Sequence, residues 1–555
     1  MDIKDAFLQV PQEEPLRLKM LGGDYIVLKN LPGQRIGAKA WFDYFSAFLA
    51  EELGFEACRL NPCLLRGEKA VLLVHVDDVV VKGNYKYIHE VFVPKVRSKF
   101  DASLSTMTKV GEKIAFLKRT YQRLDDGILI TPGHYIENML EIFEGHYGTV
   151  RGQKVPCDGA IQVEDVSPEL NGEESTTFRS LVGMGIYLSQ ERLDISFTIK
   201  ELASKMSRPT VTAMSRLKKL LGYLKQTMDY AMKLVIPESG KGLRCNSGCG
   251  YILESYSDSD WAGNKAHRRS TSAAVHLVNG CTVFATSRSQ KVVSLSSAEA
   301  ELHALVAAVA DGVYIRGCME FLCGRTMEHF ALVDNTAAKQ IANKKGVGKI
   351  RHLAGKVLWI QDYTSSGRIK VVQIPTDLNL ADVGTKPLAV ARTKALLYCI
   401  GMVHGDDGSA VGEAEFEETQ RKHEVAKKIK SMAKTLGTIM AIGSLEGVNG
   451  QEMVLDEKCY DYENVNVLEG DMVNTSWWSL SMTWALACIC MVLAISAVMW
   501  VGLLAWKASR KFKQKLVELE ERTEAAEEMA RGSSVLSQAL MRRMNTQDCI
   551  YGKDS

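Results

Sequence analysis

The chain lacks an overall charge of either sign, since 68 basic residues nearly balance 66 acidic residues and the formal net charge is +2. The chain as a whole therefore does not attract nucleic acid or an anionic membrane, and any basic groove has to be local. The first residues, MDIKDAF, lack the apolar core of a signal peptide. The sequence also contains no internal repeat and no low-complexity tract.

Cysteines at metal-binding spacing are absent as well. The 13 cysteines are scattered, and none of them forms a C-x-x-C pair. Cys245 and Cys249, or Cys318 and Cys323, come closest outside the apolar tail segment, but neither pair has a matching Cys or His pair at zinc spacing. This pattern predicts buried thiols in a reducing compartment and excludes a disulfide framework.

One long apolar segment departs from the composition of a soluble protein. Residues 472–506 contain no charged side chain, and about 20 apolar residues are enough to cross a bilayer. Tryptophans lie near both ends, as interfacial aromatics do, so we predict a single transmembrane helix over residues 477–506. A buried core helix is the alternative. Basic residues follow the segment, but long domains can ignore the charge rule, so the orientation stays open.

The spacing of apolar residues divides the rest of the chain. Residues 178–234 carry apolar residues three and four apart and are predicted to be helical. Strands and helices alternate over residues 251–400, an α/β pattern, and Asn279-Gly280 predicts a hairpin within it. Residues 404–471 are polar and predict a flexible linker. The charged tail, residues 507–555, is predicted to be a helix, either solvated or self-associating.

The stretch AVLLVHVDDVVVKG, residues 70–83, places two carboxylates inside an apolar run. The flanking runs are strands by composition, so Asp77 and Asp78 are predicted at the turn of a hairpin. Carboxylate oxygens are preferred Mg²⁺ ligands, and a divalent ion cancels their repulsion. Asp2, at the head of another apolar strand, is the candidate third ligand. Two ions about 4 Å apart would support phosphoryl transfer; the alternative is an exposed Asp-Asp turn without metal.

The segments MDIKDAFL, LPGQRIGAKAWFDYF and HVDDVVV follow one another in the order and rough spacing of reverse transcriptase motifs. They resemble the Pol polyproteins of copia-type retrotransposons. The resemblance implies that Asp2 and Asp77 bind the metals, with Asp78 beside them. It implies that Phe7 excludes a ribose 2′-hydroxyl. Residues 33–39, with Gly33 and Lys39 at the two ends, would contact the incoming nucleotide and the template.

The sequence also departs from this family. Such polymerases carry a fingers subdomain before the first motif, whereas this chain starts one residue before the first carboxylate. We therefore expect a truncated reverse transcriptase palm over residues 1–150, without fingers and inactive as a polymerase by itself. A helical thumb and connection is expected over residues 151–245, because FRSLVGMGIYLSQERLDISFTIKELASKMSRPT resembles that part of the copia family.

A second acidic set lies in the α/β region. Four acidic residues stand at the ends of successive strands and helices and can converge at one end of a sheet: Asp258, Glu301, Asp334 and Asp382. Each acid alone is more often a surface or capping group. Asp260 shares a face with Asp258 and is a second choice. Glu299, three residues after Ser296, is predicted to complete a capping box and is also a second choice.

The phrases SDSDWAG, SSAEAELHAL, VDNTAAK and NLADVGTKPL resemble the ribonuclease H of copia-type elements. The resemblance implies a ribonuclease H-like domain over residues 246–403, in which the four acids hold two Mg²⁺ ions, or Mn²⁺ as a substitute, and direct water at an RNA phosphodiester. Contacts to 2′-hydroxyls would select an RNA–DNA hybrid. Arg268 and Arg269 fit a basic groove or, equally, a solvated loop. His352 is the candidate assisting residue.

The sequence thus predicts mixed α+β and α/β architecture and Mg²⁺-dependent cleavage of RNA in RNA–DNA hybrids. The expected partners are the hybrid, an RNA template and DNA, together with a lipid bilayer at residues 477–506. The nucleic-acid domains of such a single-pass protein are expected on the cytoplasmic side. Two alternatives remain: a working polymerase, or a catalytically silent, transposon-derived interaction protein anchored in a membrane.

Overall fold

The computed structural model describes residues 1–20, 23–235, 251–347 and 351–424. All of these residues belong to one compact unit. The predicted transmembrane segment 477–506, the tail 507–555 and most of the linker lie outside the described residues and stay predictions. Of the helices that the structure describes, none has both the length and the apolar character needed to cross a bilayer.

The described elements alternate along the chain. The strands are β1 (Asp2–Ile3), β2 (Pro11–Met20), β3 (Gly23–Lys29), β4 (Glu56–Ala57), β5 (Leu64–Arg66), β6 (Ala70–His75), β7 (Asp78–Gly83), β8 (Ala102–Ser103), β9 (Lys113–Phe116), β10 (Arg119–Arg123), β11 (Gly127–Thr131), β12 (Tyr230–Val235), β13 (Ile252–Asp260), β14 (Thr271–Val278), β15 (Cys281–Ser289), β16 (Glu328–Val333), β17 (Lys370–Gln373) and β18 (Met402–His404). The α-helices are α1 (Ala6–Gln9), α2 (Gly37–Leu53), α3 (Tyr85–Tyr87), α4 (Val93–Arg97), α5 (Tyr135–Tyr147), α6 (Gly172–Leu188), α7 (Ser196–Ala203), α8 (Val211–Gln226), α9 (Ser297–Cys323), α10 (Thr336–Asn343), α11 (Ala354–Ser365) and α12 (Val390–Ile400).

Shorter helical segments join these elements. A π-helical segment, Ile88–Phe92, links α3 to α4. The 3₁₀ turns are Gly159–Gln162, Leu193–Ile195, Arg351–Leu353, Thr376–Leu378 and Leu380–Gly384. Residues 413–424 are helical as well, within the stretch predicted to be a linker.

Sheet one has the strand order β4-β5-β6-β7-β1-β8. Its apolar face is covered by α2, whose Trp41 and Phe45 are fully buried and whose rings pack on one another and against Phe100. These aromatic side chains bury a large apolar area, so they account for much of the stability of this region. β2 and β3 form a separate two-stranded sheet.

Sheet two, in the order β18-β12-β11-β10-β9, collects strands from distant parts of the chain. Sheet two therefore joins strands from three regions that the sequence predicts to be separate domains. The helices predicted over residues 178–234 are present as α6, α7 and α8, but the last residues of that range form β12. The prediction was wrong there because Tyr230–Val235 is a short apolar run, and pairing with β11 decides its conformation.

Sheet three has the order β15-β14-β13-β16-β17. β13 pairs antiparallel with β14 and parallel with β16, and α9 crosses the sheet. The predicted hairpin is confirmed: Asn279 and Gly280 both have positive φ, 49° and 83°, and join β14 to β15. Because β13 and β16 run parallel, their carboxyl ends meet at one edge of the sheet.

Candidate metal centre

Three carboxylates converge at that edge of sheet three. Asp258 lies near the end of β13, Asp334 directly follows β16, and Glu301 lies near the start of α9. One oxygen from each of the three lies within 4.8 Å of the others. Within the ranges described by the structure, no other group of three His, Cys, Asp or Glu side chains meets this condition.

The electrostatics of this centre favour a bound cation. Asp258 and Glu301 are 4% and 5% exposed. Burial raises the pKa of Asp258, and repulsion from Asp382 and Asp334 raises it further. Burial also raises the pKa of Glu301, together with repulsion from Asp258 and Asp334. Removing carboxylates from water disfavours their charged form unless an opposite charge compensates.

One oxygen of the centre has no partner among the described residues. Glu301 accepts a backbone hydrogen bond from Ser259, yet its Oε2 atom is buried and has no hydrogen-bond donor. A buried acceptor without a donor is costly, and a hard cation such as Mg²⁺ or Mn²⁺ would satisfy it. The donor set, three carboxylates with one unpaired oxygen, therefore fits a divalent metal.

Asp382, the fourth predicted ligand, lies close to the centre, but its carboxylate is paired with basic side chains. It lies in the 3₁₀ turn Leu380–Gly384 and is 3% exposed. Lys386 Nζ lies 2.7 Å from its Oδ1, and Arg392 Nη2 donates to its Oδ2 at 3.1 Å. The structure thus brings three of the four predicted acids together and pairs the fourth with two cations.

The neighbouring residue Thr385 also belongs to the site. Its hydroxyl donates a 2.5 Å hydrogen bond to Asp258 Oδ2, which orients that carboxylate. Sequence reasoning did not identify Thr385, Lys386 or Arg392. Thr385 and Lys386 follow Asp382 closely in the sequence, whereas Arg392 lies further along the chain on α12.

The two second-choice acids have structural partners. Asp260 accepts hydrogen bonds from the backbone N–H of Thr271 and from Gln162 Nε2. Ser296 caps α9 by accepting from the N–H of Glu299 at 3.2 Å, as predicted. The Glu299 carboxylate accepts from the N–H of Leu295 at 2.9 Å, one residue before the cap, so the reciprocal half of the predicted capping box is shifted.

The predicted substrate-binding side chains Arg268, Arg269 and His352 are accessible to solvent. Arg268 and Arg269 are exposed in the loop that connects β13 to β14. His352 is half-exposed, and its Nε2 lies 3.4 Å from Glu299 Oε1. Glu299 is two residues before Glu301 on α9, so the two carboxylates point to different faces of the helix and His352 contacts only the first.

The N-terminal acids form a different arrangement. The predicted hairpin is confirmed, with Val76 and Asp77 as its turn and Asp78 as the first residue of β7. Asp2 pairs directly with Asp78 across β1 and β7. Burial, then repulsion from Asp77 and Asp2, raises the pKa of Asp78. The three carboxylates do not gather within 4.8 Å of one another, and Asp2 and the turn residue Asp77 are exposed to solvent.

The other predicted nucleotide contacts flank this hairpin. Phe7 is half-buried, and its ring would lie 3.3 Å from a Cβ placed on Gly37, at the start of α2. Gly33 has a φ of +92°, a conformation suited to glycine, in the turn before α2. Lys39 is exposed on α2 and forms an ion pair with Asp43 at 2.5 Å.

The chain is similar to retrotransposon Pol polyproteins over about 70% of its length. The Pol polyprotein from transposon RE1 of Arabidopsis thaliana is 26% identical over 411 residues, covering 70% of this chain and 26% of that protein. The polyprotein from transposon TNT 1-94 of Nicotiana tabacum is 22% identical, covering 72% of this chain and 30% of that protein. The chain therefore spans about a quarter to a third of these curated relatives. No protein-family model matches it.

Matches among solved structures have lower sequence identity and low TM-scores. A foamy viral protease-reverse transcriptase in complex with RNA/DNA hybrid is 11% identical, with a TM-score of 0.39, and covers 68% of this chain and 43% of that chain. LC11-RNase H1 in complex with RNA/DNA hybrid is 17% identical, with a TM-score of 0.19, and covers 24% of this chain and 93% of that chain.

Proposed function

We propose that the region around sheet three is a nuclease that cleaves the RNA strand of RNA–DNA hybrids and depends on Mg²⁺. The observation that carries this proposal is the convergence of Asp258, Glu301 and Asp334, together with a buried Glu301 oxygen that has no hydrogen-bond partner among the described residues. The similarity to retrotransposon Pol polyproteins supports a role in nucleic-acid processing.

The residues of the proposed site have different roles. Asp258, Glu301 and Asp334 would hold the metal, and Thr385 keeps Asp258 oriented. A bound divalent ion supplies an activated water and stabilises charge on the phosphodiester. Arg268 and Arg269 would contact substrate phosphates, which attract cationic side chains without regard to sequence.

Cleavage of a labelled hybrid by the full chain tests the proposal. With Mg²⁺ we expect RNA fragments from the hybrid but none from duplex DNA, and EDTA should abolish them. Asp334→Asn should lower the cleavage rate roughly a hundredfold or more, as does loss of one transition-state contact. Asp377→Asn is the matched control, because this aspartate lies in a 3₁₀ turn and is 63% exposed. Equal rates for wild type and Asp334→Asn would exclude the proposal.

A second proposal concerns sheet one. We propose that this region derives from a polymerase palm and that the chain does not extend primers by itself. The pairing of Asp2 with Asp78 beside the hairpin supports the origin, and the separation of the three carboxylates supports the lack of activity. Primer extension by the full chain with an RNA template and Mg²⁺ tests it. Extension that is lost on Asp77→Asn would contradict the second half of this proposal.

A further inference from the structure

Gln162 connects the helical region to the loop beside the candidate metal centre. We call residues 261–270, which join β13 to β14, the basic loop, because it carries Arg268 and Arg269. Gln162 Nε2 donates to Asp260 Oδ2 at 2.8 Å, and the carbonyl of Gln162 accepts from the N–H of Lys265 at 3.3 Å. One residue therefore binds both the start and the middle of the loop region.

The other side of this contact is fixed to α8. Gln162 ends the 3₁₀ turn Gly159–Gln162, and the carbonyl of Ala160 within that turn accepts from Arg216 Nη2 at 2.6 Å. Asp158, which caps the turn by accepting from the N–H of Ala160 at 3.0 Å, also pairs with Lys219. Since Arg216 and Lys219 both belong to α8, the turn is held on a long helix and can support the loop rigidly.

Gly263 shows how closely the loop folds around this contact. A Cβ at this position would lie 1.7 Å from Asp260 Oδ2 and 2.5 Å from Gln162 Nε2. No side chain fits there while the hydrogen bond exists, which accounts for glycine at this position in SDSDWAG. Next to it, Lys200 Nζ on α7 donates to Thr271 Oγ1 at 2.8 Å, a second link from the helical region to the start of β14.

We propose that Gln162 is a positioning residue, which acts through Asp260 to hold the basic loop where Arg268 and Arg269 can meet the substrate. Asp260 lies only two residues beyond Asp258 on β13, so the contact that fixes the loop is built on the strand that carries the metal centre. The identity of the substrate as an RNA–DNA hybrid rests on the proposed function, whereas the fixing of the loop does not.

Replacing Gln162 with alanine tests the kinetic consequence. Loss of a hydrogen bond to a charged group should raise the KM for a labelled hybrid about tenfold, equivalent to about 1.4 kcal/mol, and leave kcat within about twofold. Gln122→Ala is the matched control, because Gln122 is likewise half-buried but lies on β10 in sheet two. An unchanged KM in Gln162→Ala would overturn the proposal.

Trypsin provides a readout that does not need nuclease activity. The basic loop contains three trypsin sites, Lys265, Arg268 and Arg269. Cleavage at these sites in the folded full chain should accelerate at least about fivefold in Gln162→Ala, since one such hydrogen bond is worth about this factor or more. It should not accelerate in Gln122→Ala. Equal cleavage rates in wild type and Gln162→Ala would overturn the proposal even if KM changed.

Exchanging the hydrogen-bond donor and acceptor between positions 162 and 260 distinguishes a role in positioning the basic loop from a general loss of stability. Gln162→Glu places a carboxylate against Asp260 and should accelerate trypsin cleavage. In the double variant with Asp260→Asn, the amide introduced at position 260 can donate to the carboxylate introduced at position 162, so both the trypsin rate and KM should return toward wild type. Failure of the double variant to recover, with its circular dichroism unchanged, would overturn the proposal.

The two proposals fail in different ways. A wild-type chain that cleaves no hybrid, but whose basic loop is protected from trypsin only while the Gln162 contact is intact, would exclude the nuclease and support the fixing of the loop. A wild-type chain that cleaves hybrids, with the same KM and trypsin rate in Gln162→Ala, would support the nuclease and overturn the role of Gln162.

Discussion

Lys386 Nζ lies 2.7 Å from Asp382 Oδ1, so the fourth acid of the cluster already has a cation of the protein itself as its partner. Arg392 contacts the other oxygen of the same carboxylate at 3.1 Å. Asp382 therefore differs from Glu301, whose Oε2 has no partner among the described residues. We infer different roles for the two: Glu301 binds metal directly, and Asp382 organises the basic residues around the centre.

The first prediction follows from this difference. Asp382→Asn should lower the Mn²⁺ affinity of the full chain by less than about threefold, whereas Asp334→Asn should lower it about tenfold or more, since each charged ligand contributes more than about 1.4 kcal/mol. The same Asp382→Asn change should reduce the free energy of unfolding by about 1–3 kcal/mol, because Arg392 loses a charged partner. Calorimetric titration and urea unfolding measure the two effects. Equal losses of affinity would assign Asp382 to the metal.

The second prediction concerns the hairpin turn of sheet one. Val76 has a φ of +55°, which is strained for a β-branched residue, and Trp41 Nε1 donates to its carbonyl at 2.6 Å. Trp41 is fully buried. Trp41→Phe should lower the free energy of unfolding by about 2–4 kcal/mol, through the lost hydrogen bond and the smaller ring. Trp359→Phe, at a half-buried tryptophan of α11, should cost less than half as much in the same urea titration.

The third prediction is a loss of stability in acid. Ser255 Oγ contacts both His276 Nδ1 at 2.9 Å and His329 Nε2 at 2.8 Å inside sheet three. Burial lowers the pKa of His276 and of His329 to about 3. Because the unfolded chain binds these protons first, the contribution of each neutral histidine is complete above about pH 6.5 and declines as pH falls from there toward about 3. Within that window, each histidine should lower the free energy of unfolding by about 1.4 kcal/mol for each pH unit.

Urea unfolding at pH 7.5, 6.5 and 5.5 measures this effect. Replacing His276 with glutamine should reduce the slope of the free energy of unfolding against pH by the amount that corresponds to about one proton. Replacing His134, whose side chain is 92% exposed, should leave the dependence unchanged. A pH dependence that is identical in wild type and His276→Gln would show that this histidine is not buried in its neutral form.

Features set by neighbouring residues could be predicted from the sequence. The turns at Asn279-Gly280 and before Asp78 follow from local composition, and Asp258 and Asp334 meet because parallel strands end at one edge. The prediction that a helix continues through Tyr230 was wrong, because pairing with a distant strand determines the conformation of that segment. No pattern in the sequence predicts the contact between Gln162 and Asp260, because the two residues are 98 positions apart.

The cations around Asp382 could not be predicted for a related reason. Lys386 and Arg392 are ordinary basic residues in the sequence. Lys386 pairs with the carboxylate from four positions along the chain, and the packing of α12 against the 3₁₀ turn brings Arg392 to it. Likewise, the acids Asp2, Asp77 and Asp78 have the sequence pattern of a metal site, but their carboxylates do not gather within 4.8 Å of one another.

Thermal unfolding with and without Mg²⁺ tests the metal centre most directly. A ligand that binds only the folded chain stabilises it by about 2.7 kcal/mol at about a hundred times its Kd. Wild type and the control Asp377→Asn should therefore unfold at a higher temperature in Mg²⁺ than in EDTA, whereas Glu301→Gln should show no such increase. An equal increase in Glu301→Gln would contradict the assignment of the metal to Asp258, Glu301 and Asp334.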